Sequence, residues 1–281
     1  MRARIIFKLR NKGAVLPFHH QHILASLIRN LLVGYEVGAS QYNFSGLKGQ
    51  TRISRRGLHY YSSRVTLVFS SLDKGMIDFF LANIFTHNLL EIGELIVSPE
   101  AVEEERLPNF PNPTKYICIS PLVIFSSKEE DGSNKDFILP DSEQFSDFLY
   151  ESTMYRMEHS GLFSAEEIAS FYQFQVLPDM QYIEKLKKES KKFARIYTLY
   201  DDSGKNPMAE IRGYTFPFSL YAHPQVHDFI FNCGFGEATT EGYGMLDIAN
   251  EDPLLRCIPY KIPANEPKKE RLLVGFDLQK W

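Results

Sequence analysis

An α+β fold of two tandem ferredoxin-like units, each of order β-α-β-β-α-β, is predicted by three features of this 281-residue chain. Apolar positions switch between a period of two and a period of 3.6 in that order twice. A segment rich in Glu and Pro, with Glu103-Glu104-Glu105 followed by Pro108, Pro111 and Pro113, separates the two runs and reads as a linker. A glycine-rich stretch from Gly234 to Gly244 joins the last helix of the second run to its last strand. The expected limits are 1–105 for the N-terminal unit, 114–250 for the C-terminal unit with its glycine-rich loop, and 251–281 for a tail.

In the first unit, Ala3 to Leu9 alternates as a strand with one buried face. A helix from Phe18 to about Val33 follows, with Leu24, Leu27, Ile28 and Leu31 on one stripe and His22, Ser26 and Arg29 on another. Gly34 and Gly38 bracket its exit. Residues 39–50 show no long apolar period and read as a functional loop. Arg52 to Arg56, Tyr60 to Ser70 and Leu89 to Ser98 read as strands. Leu72 to Asn88, with Met76, Ile77, Phe80, Leu81 and Ile84, reads as the second helix.

In the second unit, Tyr116 to Phe125 reads as a strand and the polar tract 126–136 as a loop tip. Helices are expected over Ser142 to His159 and Ser164 to Tyr172. Strands are expected at Asp179 to Ile183, Arg195 to Leu199 and Ala209 to Phe216. A short helix, with Pro224 at an N1-like position, ends at Gly234, and a strand from Tyr243 to Ile248 closes the unit. Leu272 to Asp277 is a candidate strand in the tail.

Composition sets limits. At 44% hydrophobic residues the chain can bury a core, and no apolar run approaches the ~20 residues that span a bilayer, so a cytoplasmic protein without a membrane partner is expected. Cys118, Cys233 and Cys257 lack disulfide or zinc spacing, and no metal or cofactor is indicated. The net charge of −4 conceals an asymmetry: residues 1–64 carry eleven basic side chains and the single acid Glu36, net +10, leaving −14 for the remainder. Near-absence of acids in one segment suits a polyanion surface.

The stretch Cys233-Gly234-Phe235-Gly236-Glu237-Ala238-Thr239-Thr240-Glu241-Gly242-Tyr243-Gly244 has two Gly-aromatic-Gly units around two hydroxyls. Glycines permit positive φ and close backbone approach, so N–H groups can converge on a phosphate, or the turn needs glycine for geometry alone. The order helix, glycines, strand is the reverse of a P-loop or dinucleotide fingerprint, which excludes both.

This glycine loop, with the N-terminal strand and the Leu16-Pro17-Phe18-His19-His20-Gln21-His22 helix entry, resembles the RAMP superfamily and within it the CRISPR repeat-processing endoribonucleases. The resemblance implies a CRISPR repeat RNA partner and metal-independent cleavage. In that reaction the ribose 2′-hydroxyl attacks the adjacent phosphate, leaving a cyclic phosphate and a 5′-hydroxyl. It also allows the alternatives of a non-catalytic repeat-RNA-binding relative or a subunit of a CRISPR effector complex, as monomer or homodimer. The family often uses a helix tyrosine, a loop histidine and a lysine. In this sequence the first two positions fall at Arg29 and Asn43. The candidate catalytic set is therefore Arg29, Lys48, Arg52, Tyr42 and His22, with cations stabilising phosphate charge and His22 titrating near neutrality. Candidate RNA contacts are Gly234, Gly236, Thr239, Thr240, Gly242 and Gly244 in the loop, Arg55 and Arg56, and Lys187 and Lys188 within a basic run from Lys185 to Arg195.

Overall fold

The protein is described by a computed structural model covering residues 1–35, 41–125 and 138–262. The N-terminal unit runs β1 (Arg2–Leu9), β2 (Val15–Leu16), α1 (Gln21–Leu32), β3 (Tyr42–Phe44), β4 (Thr51–Ser54), β5 (Gly57–Tyr60), β6 (Arg64–Ser71), α2 (Lys74–Phe85), β7 (Leu90–Ile92) and β8 (Leu95–Glu105). The C-terminal unit runs β9 (Thr114–Cys118), β10 (Leu122–Val123), α3 (Glu143–His159), α4 (Ala165–Ser170), β11 (Gln175–Pro178), α5 (Met180–Lys188), β12 (Ala194–Tyr200), β13 (Pro207–Tyr214), β14 (Phe218–Tyr221), α6 (Pro224–Cys233) and β15 (Leu246–Ile248). A last strand, β16 (Cys257–Pro259), belongs to the tail.

Both units are ferredoxin-like. The first sheet holds β8-β1-β6-β3 and the second β15-β9-β14-β11, the same antiparallel order of fourth, first, third and second strand. In each, the connection between second and third strand carries an inserted hairpin. In the first it is β4–β5, paired with β2; in the second it is α5 followed by β12–β13, paired with β10.

The first core follows from the patterns. Ala3, Ile5, Phe7 and Leu9 of β1 are buried against Leu24, Leu27, Ile28 and Leu31 of α1 and Met76, Ile77, Phe80, Leu81 and Ile84 of α2. Asp73 caps α2 by accepting from the Met76 N–H at 3.1 Å. The second core is aromatic, with Tyr116, Phe145, Phe216, Phe218, Phe229 and Phe235 buried together.

Four expectations are corrected. Within the loop expected over 39–50, Tyr42–Phe44 form an edge strand on β6, because Tyr42 and Phe44 bury against the first core; three residues are too short for periodicity to show. Glu103–Glu105 are not linker but the end of β8, with Glu103 opposite Arg4 and Glu105 opposite Arg2. Asp179–Ile183 is not a strand: Asp179 accepts from the Tyr182 N–H at 3.0 Å and starts α5. The second strand is instead β11, and β12 lies in a separate hairpin sheet rather than at the centre of the unit. The tract 126–136, Gly38 and the strand expected at 272–277 lie outside the described residues.

Candidate active site at the junction of the two units

The units meet where α6 and the 3-10 turn Thr239–Glu241 lie against β3 and β6. Glycine enables this approach. Gly234 has φ +83°, and a Cβ there would lie 1.8 Å from the Asn43 Nδ2; at Gly242, with φ +84°, a Cβ would lie 2.5 Å from the Phe44 ring. Asn43 closes the joint: its Nδ2 donates to the Tyr243 carbonyl at 2.7 Å and its Oδ1 accepts from the Phe44 N–H. The position matched to the family's loop histidine thus holds a buried clasp.

The glycine loop itself is mostly buried and several of its amides are engaged. Gly242 N–H donates to the Thr239 carbonyl, Gly244 N–H to Pro121, Phe235 N–H to Gly244 and Glu237 N–H to Val123. Gly236 packs on the Val123 carbonyl. These N–H groups do not converge on a phosphate. Thr240 alone of the two threonines is half exposed, Thr239 being buried.

Beside this joint lies a cavity of about 440 Å³, lined by Arg29, Tyr35, Tyr42, Asp202, Thr240 and Glu241 among others. Arg29 reaches it from the last turn of α1, where its Nη1 donates to Glu241 Oε1 at 2.5 Å and its Nε is 3.9 Å from Asp202 Oδ1. Its buried Nε and Nη2 make no hydrogen bond among the described residues. Such orphaned donors are costly unless a ligand takes them. Burial, with the Glu241 charge second, pushes the Tyr42 hydroxyl up to about 12, so it stays protonated as a donor. Burial likewise raises the Glu241 carboxyl above its ordinary value.

His22 sits on the same helix face, its ring stacked on Tyr200 at 4.3 Å, while His19 meets Tyr197 edge-on at 4.8 Å. Burial lowers the His22 pKa, leaving a neutral imidazole at pH 7. The inserted hairpin therefore reaches across to α1, and Asp202 in its turn completes the cavity.

Arg29, Tyr42 and Thr240 come together in the cavity lining, and His22 lies outside that lining on the same face of α1 as Arg29; the remaining candidates lie elsewhere. Lys48 pairs through its backbone with Thr66 in β6, and the charges around its ammonium are those of Arg4, Asp247, Arg2 and Glu105. Crowding by protein atoms, then Arg4, lowers its pKa. Arg52 is exposed on the β4–β5 hairpin, 5.0 Å from the Tyr61 ring, with Arg55 and Arg56 at the hairpin turn and Arg56 bonded to Glu94 at 3.2 Å. Lys187 and Lys188 are exposed at the end of α5. Glu241 and Asp202 are the residues that sequence reasoning missed. Glu241 stands inside the glycine stretch, where its pairing with a helix 212 residues away leaves no local signal.

Two ferredoxin-like units that meet at a glycine loop are the architecture that the resemblance to the RAMP superfamily implies. Residues 104–248, just over half of the chain, match the family described as CRISPR associated protein Cas6, C-terminal, and the chain belongs to that family. It is similar to the CRISPR-associated endoribonuclease Cas6 1 of Methanocaldococcus jannaschii, 26% identical over 247 residues that span 83% of this chain and 87% of the relative. Among solved structures it is similar to a Cas6-related protein of Pyrococcus furiosus (TM-score 0.71, 20% identity, covering 90% of this chain and 99% of the other). It is also similar to an RAMP protein binding different RNA substrates (TM-score 0.71, 17% identity, covering 89% and 100%). No helix among the described residues is long and apolar enough to cross a membrane.

Proposed function

We propose that this chain is an endoribonuclease that binds CRISPR repeat RNA and cleaves it within the precursor transcript to release guide RNAs. Family membership and the endoribonuclease name of the archaeal relative support the substrate and reaction class. The observation that carries the site is Arg29: Glu241 anchors one nitrogen, and the buried Nε and Nη2 have no hydrogen-bond partner among the described residues at a cavity in the joint of the two units. Once a phosphate displaces the weaker Asp202 contact, a guanidinium held this way offers two parallel donors to phosphate oxygens where the transition state gains negative charge.

In the proposed reaction the ribose 2′-oxygen bonds to the adjacent phosphorus as the bond to the 5′-oxygen breaks. His22, neutral at pH 7, is the candidate acceptor of the 2′-hydroxyl proton, Tyr42 is a candidate hydrogen-bond donor to the phosphate, and the departing 5′-oxygen takes its proton from solvent water to become the 5′-hydroxyl. Lys48, Arg52, Arg55, Arg56, Lys187 and Lys188 hold RNA phosphates away from the scissile bond. Incubation of the protein with its own repeat RNA in EDTA tests this. Cleavage to a cyclic phosphate and a 5′-hydroxyl is expected, and Arg29→Ala is expected to slow single-turnover cleavage roughly a hundred- to thousandfold. Wild-type activity that appears only with added metal, or Arg29→Ala activity close to wild type, contradicts the assignment.

A second reading, retention of repeat RNA without cleavage, is favoured by one observation: the position matched to the loop histidine is Asn43, which is spent on the joint. Tight binding without product in the same assay would establish it.

A further inference from the structure

We propose that the groove between α5 and the β12–β13 hairpin binds a single-stranded RNA segment, with Lys192 and Arg195 on its phosphates and Tyr182 and Phe193 against its bases. This rests on the reading of the chain as an RNA-binding protein, but it concerns a surface other than the Arg29 cavity. The groove encloses about 1080 Å³ and no residue lining it also lines that cavity.

Charge and shape select the occupant. Lys191 is tied to Glu189 at 2.8 Å, whereas Lys192 and Arg195 have no carboxylate within ion-pair distance among the described residues. Between these cations the groove exposes rings and aliphatic surface: Tyr182 is 39% exposed and Ile196 51% exposed. Lys187 lies 5.8 Å from the Phe193 ring, so that ring face already meets a cation. Alternating cations and aromatic faces in a concave surface suit a single strand, whose unpaired bases stack while its backbone follows the charge. An RNA duplex hides its base faces and is gripped by shape and backbone contacts, which need no aromatic floor.

Position gives the groove a consequence. The same hairpin touches α1 through Tyr200, and His19, just before that helix, through Tyr197; its turn places Asp202 beside Arg29. A strand held in the groove is therefore tethered to the element that closes the cavity.

The test is fluorescence anisotropy of the full chain with a short oligouridylate and, separately, a blunt-ended RNA hairpin, across a salt series. Lys192→Ala with Arg195→Ala is expected to weaken oligouridylate binding roughly tenfold and to reduce the salt slope by about 1.4, near 0.7 for each lost phosphate contact. Tyr182→Ala, on an exposed helix face, is expected to weaken it about tenfold with the slope unchanged. Hairpin binding should be unaffected in both, and circular dichroism melting should match wild type. Oligouridylate binding that is absent in wild type, or unchanged in the charge variant, overturns the proposal. So does an equal loss on the hairpin, which would assign the groove to duplex backbone. Because oligouridylate contains no repeat, these outcomes are independent of whether the chain cleaves its repeat RNA.

Discussion

Gly244 shows how much of the glycine signature is structural. It has φ +71°, and a Cβ there would lie 1.9 Å from the Phe235 carbonyl oxygen, a backbone atom that cannot swing aside. Left-handed geometry alone costs an L-residue about 1–2 kcal/mol. Gly244→Ala is therefore expected to lower stability by at least ~2 kcal/mol in urea unfolding, whereas Thr240→Ala at the cavity rim should stay within ~0.5 kcal/mol. A second residue-scale expectation concerns His227, buried with its Nδ1 2.8 Å from the Tyr116 hydroxyl and its Nε2 without a hydrogen-bond partner among the described residues. Burial lowers its pKa from 6.5 to about 4. The unfolded chain then binds a proton that the folded chain refuses, so stability present above pH 6.5 is lost as pH falls toward 4. The loss is on the order of 3 kcal/mol. Comparing urea unfolding at pH 7 and pH 4 should show a shallower loss in His227→Gln than in wild type; equal losses would remove His227 as the cause.

At the scale of elements, α3 orders the glycine loop by a contact with no sequence signature. Arg156 donates to the carbonyls of Cys233 at 2.6 Å, Gly234 at 2.9 Å and Gly236 at 3.0 Å, and to Gln41 Oε1 at 3.1 Å. It thereby satisfies the end of α6, and burial brings its pKa down to about 10. Arg156→Met should cost about 2–4 kcal/mol, read as a fall in the urea midpoint, because those carbonyls lose their donors while staying buried. Helices α1, α2, α3 and α6 were legible in the sequence because stripes and breakers agreed with burial. By contrast β3, α5 and β14 were not. Tyr42–Phe44 and Phe218–Tyr221 are too short to display a period, and in α5 only Ile183 is buried, while Met180 and Tyr182, two residues apart, mimic strand spacing. In the candidate site, Arg29 and Tyr42 were reachable from the helix and loop positions. Glu241 and Asp202 were not, since only folding brings α1, the glycine loop and the hairpin turn together.

Across the whole molecule, folding redistributes the charge that the linear sequence segregates. Arg2, Arg4, Arg56 and Arg64 pair with Glu105, Glu103, Glu94 and Glu100, acids that lie beyond the basic segment in sequence but across the sheet or hairpin in space. The most consequential of these pairings joins both units and the tail. Arg2 from β1 donates to the Phe231 and Leu246 carbonyls, and its guanidinium lies 3.4 Å from the Phe231 ring. Arg256 donates to Glu105 of the first sheet at 2.8 Å and to Asp247 of β15 at 2.6 Å, while β16 adds to the edge of β8. Glu105 and Asp247 are almost fully buried, so removing Arg256 leaves two carboxylates facing Arg2 and the Lys48 ammonium without their direct partner, a loss of about 3–5 kcal/mol for a broken buried pair. Because the network is shared, that loss falls on the coupling between units more than on either core. Calorimetry should show one unfolding transition for wild type and two separated transitions for Arg256→Ala, with partial restoration by adding Glu105→Gln. A single transition at the wild-type midpoint in Arg256→Ala would mean that the units are held together by the glycine-loop joint, with Asn43 and Arg29 carrying the coupling instead.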